Sequence, residues 1–167
     1  MDANFTIRQA SYSKDLDIIF NLVNDNNGKD IFLNSTRLGN DKNSVEVKQF
    51  VEQAWVYEVE DTVIACVSVG PYQGKDPDMK GAKLVKALTV HPDYQRQGIG
   101  SRLMDFIENL GGSITFGVYE PHGRVLSFYK KRGYPVLKSK LVATFRSPDQ
   151  LIDPDVKVVI FRKDFNS

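Results

Sequence analysis

Gln95, Arg96, Gln97, Gly98, Ile99 and Gly100 stand between an apolar run, residues 84–90, and an amphipathic run, residues 99–110. A strand, a short turn and a glycine-bearing helix start make a place to hold a phosphate. The first turn of a helix offers N–H groups with no intrahelical acceptor and carries the positive end of the helix dipole. Gly98 and Gly100 remove side chains where backbone must come close to a ligand. The dinucleotide fingerprint fails, because Leu103 stands where a third glycine is needed. The Walker pattern fails for want of Gly-Lys-Ser/Thr. What remains is a phosphate cradle of another kind.

The rest of the chain has to position that turn. Phe5, Ile7 and Gln9 begin a short strand, and Ser13 is a candidate N-cap for a helix with Leu16, Ile19, Phe20 and Val23 on one face. Residues 25–43 are rich in Asn, Asp and Gly and read as a long loop containing Ile31, Phe32 and Leu33. Ser44 is placed to cap a second helix with Val47, Phe50 and Val51 as its apolar face. Residues 55–59 and 63–69 form a hairpin around Glu60-Asp61-Thr62, and 83–90 is a third strand after a polar excursion, 71–81. Ile99, Leu103, Phe106, Ile107 and Leu110 have the spacing of a buried helix face, ended by Gly111-Gly112. Residues 113–119 alternate as a strand, 124–132 form a short helix ended by Gly133, and 156–161 form a last strand. No repeat, linker or low-complexity tract interrupts the chain, so one domain over residues 1–167 is expected. The mixed order of elements implies an α/β sheet with helices on both faces.

With 167 residues the chain can bury one good core, and 41% hydrophobic with 26% charged residues is ordinary globular composition. Its 22 basic and 21 acidic residues nearly cancel, which argues against nucleic acid or an anionic membrane as the main partner. Cys66 is the only cysteine, so there is no internal disulfide and no cysteine cluster for a metal. No apolar run approaches spanning length and the N-terminus lacks a signal core, so a cytoplasmic protein is expected.

At this point two blocks resemble one family. Leu88-Thr89-Val90-His91-Pro92-Asp93-Tyr94-Gln95-Arg96-Gln97-Gly98-Ile99-Gly100 is similar to motif A of the GNAT N-acetyltransferases, whose core is Gln/Arg-x-x-Gly-x-Gly/Ala. Phe128-Tyr129-Lys130-Lys131-Arg132-Gly133-Tyr134 resembles that family's motif B, Phe-Tyr-x-Lys-x-Gly-Phe. Both have the family's order and spacing, and the resemblance covers nearly the whole chain. It implies a mixed, mostly antiparallel sheet of about seven strands with helices on both faces, the fourth strand splayed from the fifth. It also implies acetyl-CoA as cosubstrate, an amine as acceptor and no metal.

The implied roles can be given physical reasons. The cofactor pyrophosphate would rest on the backbone of Gln95, Arg96, Gln97, Gly98, Ile99, Gly100 and Ser101. Arg96 either adds charge-assisted contacts or is a solvated side chain. Leu88, Thr89 and Val90 would pair with the pantetheine arm as with an added strand, and an N–H near Val90 would hold the thioester oxygen. Tyr129 matches the tyrosine that protonates the departing thiolate, and a phenol is protonated at neutral pH. The plainer reading of Tyr129 is a core aromatic beside Phe128. Many members carry a glutamate six residues before the matching valine, and here that position is Leu84. Glu120 is the substitute base, a solvated loop carboxylate is its plain reading, and a water chain needs no base at all. His122 stands where the family often has an asparagine that bonds the pantetheine arm. Arg124 either reaches a cofactor phosphate or makes a surface ion pair.

An enzyme acetylating a primary amine by direct attack is therefore expected. A non-catalytic acyl-CoA-binding module is the alternative, prompted by Leu84, and a flavodoxin-like nucleotide binder is a third. The acceptor would lie against the first two helices and the loops 26–43 and 71–81, where Asp25, Asp30, Asp41, Asp76 and Asp78 could attract a cation. A small amine is favoured over a protein N-terminus or lysine, because no long charged groove is evident. The C-terminal strands are where a homodimer would pair.

Overall fold

The computed structural model describes residues 4–27, 38–120, 123–147 and 150–165. The expected element order is the observed one: β1 (Phe5–Gln9), α1 (Tyr12–Asn27), α2 (Val45–Glu52), β2 (Ala54–Val59), β3 (Thr62–Pro71), β4 (Lys83–Val90), α3 (Ile99–Asn109), β5 (Gly112–Tyr119), α4 (Gly123–Lys131), β6 (Val136–Ser147) and β7 (Gln150–Phe165). The strands form a seven-stranded sheet in the order β1-β2-β3-β4-β5-β7-β6. Every neighbouring pair is antiparallel except β4 with β5.

Local chemistry explains most boundaries. Glu60 and Asp61 both take positive φ, 48° and 62°, which is the mirror-image turn that suits the twist of a tight hairpin. Ser44 caps α2 by accepting the Val47 N–H at 3.2 Å. Ser13 does not cap α1, which begins at Tyr12; instead the Asp15 carboxylate accepts the Ser11 N–H at 2.7 Å. Leu110 does not reach the core either. α3 stops at Asn109, Gly111 turns the chain at φ 78°, and Leu110 is left 46% exposed. The last strand is much longer than 156–161, because the neighbouring β6 gives its backbone a ladder along most of its length. Of the long loop, Ile31, Phe32 and Leu33 lie outside the described residues.

Helices cover both faces. Ile99, Leu103, Met104 and Ile107 of α3 and Leu126 and Tyr129 of α4 pack on Val67, Val85, Phe116 and Phe161. On the other face Ile19 and Val23 of α1 and Val47 and Val51 of α2 pack on Val56, Val63 and Cys66. A third cluster pins the β3–β4 excursion to β7 through Met79, Val158 and Ile160. Burial of these apolar faces, at roughly 25 cal/mol per Å², is the main force that holds the layers together. Arg8 adds a polar clamp between β1, α1 and β2, donating to Asp15 at 2.8 and 2.9 Å and to Glu58 at 2.8 Å.

Candidate functional site

β4 and β5 part company early. Their only pairs are Lys83 with Ile114 and Leu84 with Thr115. Beyond that point β5 is held along its length by β7, from Gly112–Phe165 to Tyr119–Val158, while β4 is held by β3. A bulge in β4 adds to the divergence. Ser68 faces Lys86 but Cys66 faces Thr89, so β4 carries one extra residue, with Ala87 at φ 50°. The extra residue resets the alternation. Val85 faces α3 before the bulge and Leu88 and Val90 pack on that same side after it, while Ala87 packs toward α1 and α2. Thr89, 5% exposed, satisfies its hydroxyl by donating to the Ala87 carbonyl at 2.9 Å. The His91 N–H bonds Ile64 of β3 at 2.8 Å, so by alternation the Val90 N–H points to the open edge. The Gln95 side-chain amide donates to the Val90 carbonyl at 3.0 Å and ties the following turn to this edge.

That turn runs through a short 3-10 helix, Pro92–Tyr94, and then through left-handed backbone at Arg96 (φ 63°) and Gly98 (φ 80°) before α3. Among the described residues the N–H groups from Arg96 to Ser101 have no protein acceptor; that of Gln95 makes a long bond, 3.4 Å, to Pro92. The two glycines differ in purpose. A Cβ at Gly98 would meet nothing within 4 Å, so glycine is there for its φ. A Cβ at Gly100 would sit 3.8 Å from Leu88, 3.9 Å from Phe128 and 4.0 Å from Val90. Protein packing has room for that Cβ, so what Gly100 keeps open is the approach from outside. Arg96, Gln97 and Arg124 are exposed, Ser101 is half-buried and Ile99 anchors in the core. His122 lies outside the described residues.

Tyr129 is 5% exposed and sits among Phe116 (ring centroids 4.2 Å apart), Phe128 (5.0 Å), Tyr134 (5.7 Å) and Phe161 (6.2 Å). The plainer sequence reading is the one the packing shows, a core ring, and it carries a polar tip. Tyr134 gives its hydroxyl to Glu108 at 2.7 Å, but the Tyr129 hydroxyl has no protein partner among the described residues. Burial pushes the Tyr129 phenol well above its ordinary range, so it stays protonated. Phe116, against which it packs, follows the last β4–β5 rung at Thr115. Glu120 follows β5 and is half-exposed, with its carboxylate 3.1 Å from the Lys157 ammonium. Cys66 is fully buried and its thiol is pushed up to about 12, so it is no nucleophile.

On the α2 side of the opening lies a cleft of about 720 Å³. Its walls are α2, the inner strands at Ser68, Gly70, Leu84 and Lys86, the β3–β4 excursion at Tyr72, Gln73 and Gly74, and residues 38–41. Leu84, the last β4 residue paired to β5, lines it and offers no base. Asp41 lines it too, whereas Asp76 and Asp78 are held by Lys138 at 2.7 and 3.0 Å. Asp25 is exposed on α1 and Asp30 lies outside the described residues. Sequence reasoning passed over Gln53, Ser68, Gly70 and Lys86; the one available signal was an isolated glycine inside a strand. Among the described residues no cluster of His, Cys, Asp or Glu is placed to hold a metal, and no helix is long and apolar enough to cross a membrane.

The sheet is thus opened between its fourth and fifth strands, with a glycine turn on one side and a cleft on the other. A family model, the acetyltransferase (GNAT) domain, matches residues 51–136, and the chain belongs to that family. Its sequence is 33% identical over 67 residues to the peptidyl-lysine N-acetyltransferase YjaB of Salmonella typhimurium, covering 40% of this chain and 46% of YjaB. The chain spans about half the length of the curated relatives it matches. The fold is that of an N-acetyltransferase from Staphylococcus aureus Mu50 (TM-score 0.75, 15% identity, 97% of this chain and 99% of that one). It is equally that of yncA from Salmonella typhimurium, solved with its cofactor acetyl-CoA (TM-score 0.74, 14% identity, 98% and 95%).

Proposed function

We propose that this protein is an acetyl-CoA-dependent N-acetyltransferase acting on a primary amine, carried by the opening between β4 and β5 that joins the turn 95–100 to the cleft. The residues present fit such a cosubstrate on three counts. The N–H groups from Arg96 to Ser101 are open to an anion, Gly100 leaves room above Leu88 and Val90, and a buried hydroxyl on Tyr129 lacks a partner among the described residues. When bound, acetyl-CoA supplies a thioester whose carbonyl carbon takes a neutral amine and releases the CoA thiol.

The chain supplies the surroundings of that exchange. Val90 turns its N–H to the open edge, where it can hold developing negative charge. Tyr129 donates its proton toward the departing sulfur, and a general acid in this position contributes roughly 10²- to 10⁴-fold. Leu88, Thr89 and Val90 present an unpaired strand edge to the cosubstrate's arm. Arg96 stands exposed in the turn and Arg124 at the start of α4, and both Arg124 and His122 are assigned to the cosubstrate only by motif position. Leu84 leaves deprotonation of the amine to solvent, with Glu120 as the rival base. A Glu120→Gln change separates the two: a large fall in kcat/KM would install Glu120, and an unchanged rate would leave the proton to solvent.

Transfer is tested by mixing the protein with acetyl-CoA and an amine panel and following free thiol. Tight acetyl-CoA binding with no turnover on any amine would favour a non-catalytic binding module instead. The acceptor is a small amine on this reading, and the name of the relative YjaB favours peptidyl lysine as the second candidate. One domain is supported by the seven-stranded sheet that runs from β1 at one edge to β6 at the other. A cytoplasmic location fits the lone cysteine. A homodimer is supported by the edge strand β6, which exposes Val136, Leu137 and Leu141, and sedimentation tests it.

A further inference from the structure

Gln53 closes α2 and its carbonyl accepts the Val69 N–H at 2.9 Å, which docks the helix end on β3. Its side chain folds over Gly70. A Cβ built on Gly70 would lie 2.2 Å from Gln53 Oε1 and 2.7 Å from Nε2, so the amide occupies the space that any other residue at 70 would fill. Neither end of that amide has a hydrogen-bond partner among the described residues. Gly70 pairs with Leu84, and Leu84 pairs with Thr115 at the last rung before the sheet opens. Gln53, Gly70 and Leu84 all line the cleft. A neutral amide with free acceptor and donor groups is thus seated one strand from the point where β4 and β5 separate.

Resting on the acetyltransferase reading, we infer that Gln53 is the residue that receives the acceptor amine, and that Gly70 is the seat that holds its amide there. The Oε1 atom accepts an N–H of the incoming amine. A neutral amide suits this task where a carboxylate does not, because it orients the amine without stabilising the ammonium form that cannot attack. The isolated glycine in β3 is explained by the same contact. Gly70 does not have a positive φ, so an alanine there is conformationally allowed and its cost is the displacement of the Gln53 side chain.

The test uses the full chain with acetyl-CoA and, as acceptors, butylamine and a blocked lysine peptide. Gln53→Met keeps the volume and loses the acceptor oxygen; amine KM should rise about tenfold, the loss of one net hydrogen bond, with acetyl-CoA KM within about twofold. Gln53→Glu keeps an accepting oxygen and should recover most of that loss in amine KM while lowering kcat, because the carboxylate holds the amine as ammonium. Gly70→Ala should mimic Gln53→Met, and the double variant should lose no more than either alone, because both remove one contact. Unchanged amine KM in Gln53→Met, or an equal rise in the KM of both substrates, overturns the assignment. So does calorimetry in which CoA binds the wild type and neither amine binds the CoA complex. Failure of CoA itself to bind would instead remove the acetyltransferase reading beneath it.

Discussion

Replacing Tyr129 with phenylalanine should make the protein more stable and the enzyme slower. The ring contacts to Phe116, Tyr134 and Phe161 do not involve the hydroxyl and are kept. The hydroxyl itself is buried with no protein partner among the described residues, and such a group costs about 1–3 kcal/mol by protein mutational data. Removing it should gain about 1 kcal/mol at the low end, or roughly 2–4 °C in Tm for a chain of this length. The catalytic loss follows from the same burial. A phenol pushed above its ordinary range is a weaker acid, so its contribution belongs at the lower end of general-acid effects, about 10²-fold or 2.7 kcal/mol in kcat. Acetyl-CoA KM should change little, and wild type should show no alkaline limb from this group below about pH 10. Urea denaturation and thiol release read the two effects on one preparation. A destabilised Tyr129→Phe protein would mean that the hydroxyl has a partner in the fold, and unchanged kcat would remove it from the reaction.

The two glycines of the turn should separate conformation from access. Gly98→Ala, at φ 80°, should cost about 1–2 kcal/mol, whereas Gly100→Ala should fold with no loss yet raise acetyl-CoA KM at least about tenfold; equal KM effects would refute the division. Arg8 holds the Asp15 carboxyl below its ordinary range, so the native state keeps that charge while the unfolded chain takes up a proton. Its stabilisation is therefore complete above about pH 4 and fades as pH falls further. Asp15→Asn should cost about 3 kcal/mol at neutral pH, as for breaking a buried pair, and flatten the acid limb of stability; denaturation at several pH values checks this. Lys138→Ala should cut the latch to Asp76 and Asp78 with under about 1 kcal/mol of global effect, while hydrogen exchange in residues 72–81 accelerates.

The order of elements was legible because each run carried its own period and its own punctuation. Ser44, the Glu60-Asp61 turn, Gly98 and Gly111 act on the few residues beside them, and local sequence is enough to place such features. The turn 95–100 and Tyr129 were legible for the same reason, as short motifs in register. Other features depend on partners far away in the chain. The split between β4 and β5 arises because each is laddered to a different neighbour, β3 and β7, and Ala87 bulges against Cys66 and Ser68. The length of β7 needed β6 beside it. That the Tyr129 hydroxyl has no partner among the described residues, and that the Gln53 amide lies over Gly70, are facts about distance between residues that sequence spacing does not encode. Sequence alone thus determined the glycine turn proposed here for the cosubstrate, because such a turn is built from contiguous backbone. Tertiary structure decided the cleft proposed for the acceptor, because it is assembled from a helix end, two strands and a loop that meet only when the chain folds.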